Sequence, residues 1–553
     1  MTTAAFTTPR YSFLMKLLVA ALLVTMGDIF FYQGILDGAG GGIFAAVWTA
    51  GAFVTQRSIW RDKRALAALF MAMLFAGAQI IDPSFLTWIL FWCAISMAIL
   101  LPSTAAFDDG WRWFQRLMFH AINQYVRPFT DWTKLRSANR RGHRRSLLSA
   151  WRILVLPVIG SGIFLLLFAQ ANPLISKFVD SISLPSLGSD LHLRLLTWAL
   201  IFAAVWASLR PQVARHLYST FDGTGDVRIA GVSVMSVTIS LFAFNLLFAV
   251  QNISDIAFLW AGQGLPDGVT FAEYAHSGAY PLIATALLAG LFVLVTLRPG
   301  SATANAPWIR RLVVMWIVQN IFLVASSILR TLDYIEVYSL TQLRIAALAW
   351  MGLVAIGLAL VCIRIFLMRR ASWLINSNLA AALLLLTGYS FVDTGATAAH
   401  WNVGHAREVG GKGVSLDLCY LHQLGPSALL ALITLEQSDQ PLDPMFRQRV
   451  KDVRQDIMAK MIIRSNNGYW TYREAERLKT ARILLKGDGM DRVSRSSISC
   501  DGLVTASEAP NVTPGNGGEK ILRPEISAGT QGDLPPAGAG AWHNGALTKE
   551  LEQ

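Results

Sequence analysis

Two stretches of sequence decide the fold: Asn245-Leu-Leu-Phe-Ala-Val-Gln-Asn-Ile-Ser-Asp255 and Gly264-Leu-Pro-Asp-Gly-Val-Thr-Phe-Ala-Glu-Tyr-Ala-His-Ser-Gly-Ala-Tyr-Pro281. The first ends a long apolar segment, and the second leads into an unbroken apolar run that reaches Leu297. Lipid offers no partner to open backbone groups, so an apolar segment of about 17 to 25 residues crosses it only as a helix. This region therefore predicts two membrane-spanning helices joined by a polar loop.

Composition extends this prediction to the whole chain. Hydrophobic residues make up 54% of the 553 residues and charged residues 15%, and the mean hydropathy is +0.45, which is too apolar for a soluble protein of this length. The apolar runs do not alternate as barrel strands would. The sequence thus predicts an all-α polytopic membrane protein.

Apolar runs predict about eleven transmembrane helices. Their approximate bounds are residues 12–31, 39–54, 65–81, 85–101, 153–171, 193–209, 233–251, 280–297, 310–329, 345–368 and 372–392. The glycines from Gly38 to Gly42 lie where the second span starts and favour close packing of helices.

The segment from Trp111 to Arg152 decides the predicted orientation. It holds ten Lys and Arg residues against one acid, Asp131, and such segments stay in the cytoplasm. The net charge of +12 is therefore interpreted as a topology signal, and no nucleic-acid partner is predicted. An apolar stripe at helical spacing, with Arg116 and Arg127 off it, is typical of a helix in the headgroup plane. Such a helix either anchors the topology or binds anionic lipid or nucleotide.

The predicted organisation follows from these segments. With eleven spans, the amino end is cytoplasmic and the chain after residue 392 is periplasmic. Asp443-Pro444 is a helix-start pair ahead of a helical pattern, which indicates a small helical domain. The predicted regions are a four-helix transmembrane region (1–110), a basic amphipathic cytoplasmic segment (111–152), a seven-helix core (153–392), a periplasmic helical domain (393–486) and a disordered tail (487–553).

Four elements of the sequence carry a family resemblance: residues 245–255, residues 265–281, Tyr338 to Arg344 with Trp350, and Leu416 to Leu432. Together they resemble a bacterial multi-pass membrane family, the domain of unknown function with number four-one-seven-three. The resemblance covers roughly residues 150–480 and implies a location in the bacterial inner membrane, with no activity or cofactor attached.

Polar side chains within the spans are the first candidate site, because they are costly at membrane depth. Asn245 and Asn252 share one helix face, and Gln319 with Asn320 on a later span are expected to face them. Hydrogen bonds that hold the bundle together, worth about 0.6 to 2 kcal/mol each, are the first interpretation. A substrate path is the second.

A second candidate site gathers at the predicted outer face, from the loops after two spans. Carboxylates, a histidine and arginines together bind an anionic headgroup, perform acid–base chemistry, or form a salt-bridged lid with tyrosine anchors. The members of this predicted cluster are Asp267, Glu273, Tyr274, His276, Arg330, Tyr334 and Arg344.

No catalytic residue, metal or cofactor is predicted. A lone Glu273–His276 pair lacks further metal ligands, and no nucleotide-binding glycine motif or nucleophile elbow occurs. Two alternatives in the tail rest on residue type alone. One is a disulfide between Cys419 and Cys500, and the other is a metal site of His400, His405, Cys419 and His422.

Three functions are compatible with these sequence features. The first is a non-enzymatic inner-membrane scaffold or sensor, with membrane lipids around it and a protein partner at the periplasmic domain. The second is a secondary transporter or lipid-handling permease, which needs polar residues at mid-depth. The third is an outer-face enzyme on a lipid-linked substrate that uses Glu273, His276 and Arg330.

Overall fold

The fold of the protein is given by a computed structural model. It describes residues 9–104, 107–139, 189–214, 216–218, 233–257, 306–367, 369–411 and 413–485, with Thr285, Leu288, Phe292 and Cys500. The helices of the membrane part are α1 (Pro9–Gly27), α2 (Gly40–Thr55), α3 (Lys63–Ile81), α4 (Phe85–Leu100), α5 (Gly110–Asn139), α6 (Ser189–Leu209), α7 (Val234–Asp255), α8 (Pro307–Tyr338), α9 (Gln342–Phe366) and α10 (Ala371–Phe391). The C-terminal helices are α11 (Thr394–His405), α12 (Leu418–Leu424), α13 (Leu429–Glu436), α14 (Pro444–Asn466) and α15 (Tyr472–Leu484).

Within the described ranges, nine helical segments are long and apolar enough to cross a membrane. Eight coincide with predicted spans, and the shorter α2 is a ninth predicted span; the predicted spans at 153–171 and 280–297 lie outside the described ranges, apart from isolated residues. The remaining candidate, Leu418–Glu436, is broken at Gly425, whose φ is +56°. The predicted class, an all-α polytopic membrane protein, is confirmed.

The spans form two hydrophobic cores. The first contains α1, α2, α3, α4 and α6 and is centred on aromatic contacts such as Trp48 against Phe91, with ring centroids 5.7 Å apart. The second contains α7, α8, α9 and the start of α10 and is centred on Trp316, 5.3 Å from Phe244. We call these the first and second bundles. The first bundle joins α6 to helices that precede it by more than 80 residues in the chain.

Glycine permits the closest approach in the first bundle. A Cβ added to Gly42 of α2 would lie 2.7 Å from the carbonyl oxygen of Ala76 in α3, closer than real Cβ contacts come. The two helices therefore pack backbone to backbone, as the glycine run predicted.

The spans have a basic end and a domain end. At the basic end, Gln56 after α2 donates to the carbonyl of Ser208 near the end of α6 at 2.6 Å, and Asn376 early in α10 accepts from the backbone of Gly110 at 2.7 Å. At the domain end, the C-terminal helices contact the spans. Basic residues flanking the helix termini at the basic end include Arg57, Arg61, Lys63, Arg64, Arg112, Arg210, Arg310, Arg311, Arg369 and Arg370.

Helix α5 lies at the basic end with its polar face toward the protein. Arg127 donates to the carbonyl of Arg210 at 3.1 Å, and Asp131 accepts from the indole of Trp206 at 3.2 Å and pairs with both arginines. The apolar stripe points outward, and Ile122 is 69% exposed. The helix is therefore amphipathic, with its polar face on the protein and its apolar stripe exposed.

His120 gives α5 a pH-dependent stability. The imidazole is buried beside Trp92, with ring centroids 6.0 Å apart, and burial lowers the pKa of His120 from 6.5 to about 4. The unfolded chain takes up a proton near pH 6.5 while the folded chain does not, so stability falls as the pH drops through this window. We expect a loss of about 2 kcal/mol between pH 7 and pH 5, since each unit of pKa difference corresponds to about 1.4 kcal/mol.

Melting temperatures of the detergent-solubilised protein at the two pH values measure this effect. His120→Phe keeps a ring against Trp92 and removes the titrating group, so its melting temperature should fall less than that of the wild type. An equal fall in both proteins would show that other groups cause the pH dependence.

The C-terminal helices form a domain with its own core. Leu429, Leu432, Val450, Ile457 and Met461 are fully or almost fully buried and pack together. As the sequence predicts, α14 starts at Asp443-Pro444, where the carboxylate of Asp443 accepts from the backbone of Met445 at 2.9 Å. The predicted disordered tail lies outside the described residues, except for Cys500.

Candidate functional site

The predicted intramembrane polar residues lie between α7 and α8. The amide of Gln319 donates to the side-chain oxygen of Asn245 at 3.0 Å, and Asn245 donates to the carbonyl of Leu312 at 3.1 Å. Asn252 donates to the carbonyl of Gln319 at 3.3 Å, whereas Asn320 bonds within its own helix, to the carbonyl of Trp316. Three of the four residues thus join the two helices to each other, which is the geometry of interhelical hydrogen bonding.

Arg330 does not lie in an outer loop, and that expectation is wrong. Helix α8 continues to Tyr338, so Arg330 is part of the helix, only 8% exposed, and pairs with Asp255, which is 2% exposed. Gln251 donates to the same carboxylate at 3.0 Å. The pair extends the polar contacts between α7 and α8 toward the domain end.

Tyr334 and Arg344 were also expected in an outer loop, but they lie near the end of α8 and the start of α9 and come together where the two helices meet. The guanidinium of Arg344 lies over the ring of Tyr334, 4.2 Å from its centroid, and donates to the carbonyl of Tyr338 at 2.6 Å and to that of Ser339. Ser339 has φ +68°, a conformation that L-residues seldom adopt. Arg344 therefore caps the helix end and holds this turn. Asp267, Glu273, Tyr274 and His276 lie outside the described residues.

The same turn is where the C-terminal domain meets the second bundle. The side-chain amide of Asn402 accepts from the backbone N–H of Leu340 at 2.7 Å and donates to its carbonyl at 2.9 Å. The hydroxyl of Tyr420 accepts from the backbone N–H of Gln342 at 3.0 Å. Both polar groups of Leu340 are thus satisfied by one domain side chain.

A separate set of contacts joins the domain to the first bundle. The backbone of Trp470 donates to the carbonyl of Asp37 and accepts from the N–H of Ala39, both at 2.8 Å. Arg473 pairs with Asp82, in the turn between α3 and α4, at 2.5 Å, and donates to the carbonyl of Phe391 at 2.9 Å. The domain therefore contacts the ends of both bundles.

A cleft of about 350 Å³ opens in the domain between α12 with the turn after it and α14. His422 and Lys460 both bond the carboxylate of Asp456, each at 2.7 Å, and Arg464 pairs with Glu474 and stacks on Tyr469 at 4.6 Å. The lining residues are His422, Gly425, Pro426, Ile457, Lys460, Met461, Ile463 and Arg464.

Two carboxyl groups beside the cleft titrate differently because their partners differ. Burial alone would raise the pKa of Asp456, but the hydrogen bonds from Lys460 and His422 outweigh it and hold the pKa below its ordinary value. At Glu474, burial raises the pKa even though Arg464 opposes that shift. Asp456 is therefore the more firmly ionised of the two.

A disulfide closes the domain, which was one of the two alternatives that the sequence left open for the tail. Cys419 in α12 is bonded to Cys500, 81 residues later, and the carbonyl of Cys500 accepts from Arg449 at 2.6 Å. Cys419 is thereby not free to serve as a metal ligand. In the part of the chain that the structure describes, no three His, Cys, Asp or Glu side chains gather as a metal site.

Comparison with known families assigns the chain. A family described as "Domain of unknown function (DUF4153)" matches residues 65–435, about two thirds of the protein. The chain belongs to this family. The resemblance in the sequence was right in kind, but the number four-one-seven-three was wrong, and the DUF4153 match starts earlier and ends earlier than residues 150–480. No curated protein and no solved structure matches the chain.

Proposed function

We propose that this DUF4153 protein is a non-enzymatic scaffold or sensor of the bacterial inner membrane, with the C-terminal domain as its binding module. One observation carries the proposal: the domain contacts both bundles, through Asn402 on Leu340 and through Trp470 on Asp37 and Ala39. A partner or ligand that binds such a domain acts on the spacing of the bundles without any catalytic group.

The proposed orientation places the basic end in the cytoplasm and the domain in the periplasm, with the amino end of α1 cytoplasmic. Basic residues near span ends stay in the cytoplasm, and here they flank the helix termini at the end away from the domain. The Cys419–Cys500 disulfide supports this orientation independently, because disulfides persist in the periplasm and are rare in the cytosol.

Lipids and a protein are the proposed partners. The outward apolar stripe of α5 suits the boundary between headgroups and acyl chains. A protein partner would bind the exposed face of the C-terminal domain. The proposal involves no cofactor and no nucleic acid.

Complementation of a strain that lacks this protein separates the proposal from transport. Asn402→Ala combined with Arg473→Ala weakens contacts of the domain with both bundles, so we expect complementation to be lost at unchanged protein level. Gln319→Leu alters the polar contacts between α7 and α8 and should still complement. If the protein instead transports a substrate past the polar residues between α7 and α8, Gln319→Leu should fail to complement. The variant Asn402→Ala with Arg473→Ala should then still complement.

A further inference from the structure

The two walls of the cleft are attached to different bundles. On one wall, Tyr420 lies two residues before His422 and accepts the hydrogen bond from Gln342 at the start of α9. On the other wall, Arg464 stacks on Tyr469, and the next residue, Trp470, pairs with the backbone of Asp37 and Ala39 ahead of α2. The cleft therefore lies between the attachments of the two bundles.

These attachments also fix the level of the cleft. Gln342 and Ala39 are at or next to the first residues of membrane-spanning helices at the domain end, so both walls run down to the headgroup region. Ile463 lines the cleft and is exposed.

The lining combines aliphatic side chains with cationic ones. Pro426 and Ile463 provide accessible aliphatic surface, which suits a hydrocarbon chain. Ile457 and Met461 also line the cleft but are almost fully buried in the domain core. Lys460 is 61% exposed in its side chain, so its ammonium is able to turn toward a ligand.

The two cationic side chains of the cleft have hydrogen-bond donors in excess. A lysine has three N–H donors and an arginine has five. Lys460 bonds Asp456 and lies 3.3 Å from Nε2 of His422, and Arg464 pairs with Glu474. These contacts engage a minority of the eight donors. A ligand rich in acceptor oxygens matches what remains, and phosphate and carboxylate groups are such ligands.

We propose that the cleft between α12 and α14 binds an anionic amphiphile from the membrane's outer leaflet, with its phosphate or carboxylate on Lys460 and Arg464 and its chain against Pro426 and Ile463. This inference rests on the proposed sensor function and supplies its ligand class. An occupant spreads or draws together two walls that are tied to different bundles, so its binding changes how the bundles are held.

The test uses the full-length protein in neutral detergent, with a thiol-reactive fluorophore attached through the substitution Ile463→Cys in a Cys93→Ala, Cys362→Ala background. Dihexanoyl phosphatidylglycerol should give a saturable change, and dihexanoyl phosphatidylcholine should bind at least about tenfold more weakly, a difference of about 1.4 kcal/mol. Lys460→Ala with Arg464→Ala should weaken the anionic ligand by at least the same factor. Lys479→Ala removes an exposed lysine of the same domain that is not among the cleft residues and should leave binding unchanged.

Dodecanoate distinguishes the source of the ligand. Binding of phosphatidylglycerol but not of dodecanoate assigns the site to a bilayer phospholipid, and binding of dodecanoate as well assigns it to any anionic chain, a free fatty acid included. Equal binding of the two phospholipids, or binding that Lys460→Ala with Arg464→Ala does not alter, would overturn the proposal. Either result overturns only the ligand proposal for the cleft. The proposed sensor function is tested separately, and it stands if the variant Asn402→Ala with Arg473→Ala fails to complement.

Discussion

Replacing Arg330 with alanine is expected to destabilise the second bundle by about 3–5 kcal/mol, because it leaves a buried charge without its partner. Asp255 is 2% exposed and accepts from Arg330 and Gln251. Without the guanidinium of Arg330, the carboxylate of Asp255 keeps only the hydrogen bond from Gln251 of these two. Thermal unfolding of the purified protein in detergent measures the loss.

A double variant separates the ion pair from the volume of its side chains. Arg330→Met with Asp255→Leu replaces both charges by apolar groups of similar size, and such replacements are often neutral or stabilising. The double variant should therefore melt well above the single variant. If the two melt together, the loss in Arg330→Ala comes from packing and not from an unpaired carboxylate.

Removing the disulfide is the second large effect. Cys419→Ser opens a loop of 81 residues, and disulfides that close loops of this size stabilise small domains by about 2–5 kcal/mol. We expect the C-terminal domain to melt earlier and to become sensitive to protease, while the spans stay inserted. Proteolysis of membrane vesicles with the domain side exposed, followed by immunoblotting, measures this change.

Wild-type protein under reducing conditions is the matched control, since it loses the same bond without a substitution. Reductant should reproduce the variant's sensitivity and add nothing to that of Cys419→Ser. The same bond also reports on orientation. In a host that lacks its periplasmic thiol oxidase, Cys419 and Cys500 of the wild-type protein should stay reduced and become accessible to alkylation. If the disulfide forms equally well without the oxidase, the domain is not periplasmic.

Much of the membrane part was predictable because length and hydropathy alone decide it. A run such as Gln342–Phe366 has to be a spanning helix in lipid, whatever its neighbours are. The start of α14 was predictable for a local reason as well, because a capping aspartate and a first-turn proline act within three residues. Neither case requires knowledge of tertiary contacts.

Arg330 was misplaced because its partner is distant in sequence. An arginine after an apolar run ordinarily marks the exit of a helix from the membrane, and the sequence does not reveal that Asp255, 75 residues earlier, faces it. The buried pair lets α8 continue for two more turns. Pairing across such distances is a property of the fold, and no local pattern contains it.

The cleft was missed for a similar reason, although a partial signal was present. Asp456 and Lys460 are four residues apart on α14 and form an ion pair, a spacing that a helix face makes favourable. Their third partner, His422, is 34 residues from Asp456, and the local sequence suggests only a metal ligand at that position. The helix α5 shows the same limit: the sequence reveals its two faces but not that Asp131 pairs with Arg210 and accepts from Trp206, which lie more than 70 residues away.

Asn402 has an implication for the design of variants and fragments. One carboxamide copies the pairing that an adjacent β-strand would provide, since it presents an acceptor and a donor to the two main-chain groups of Leu340. Aspartate offers two acceptors and no donor when ionised, and leucine offers neither. The hairpin between α8 and α9 is thus completed by a residue 62 positions farther along, so a fragment that ends before Asn402 leaves both main-chain groups of Leu340 without this partner.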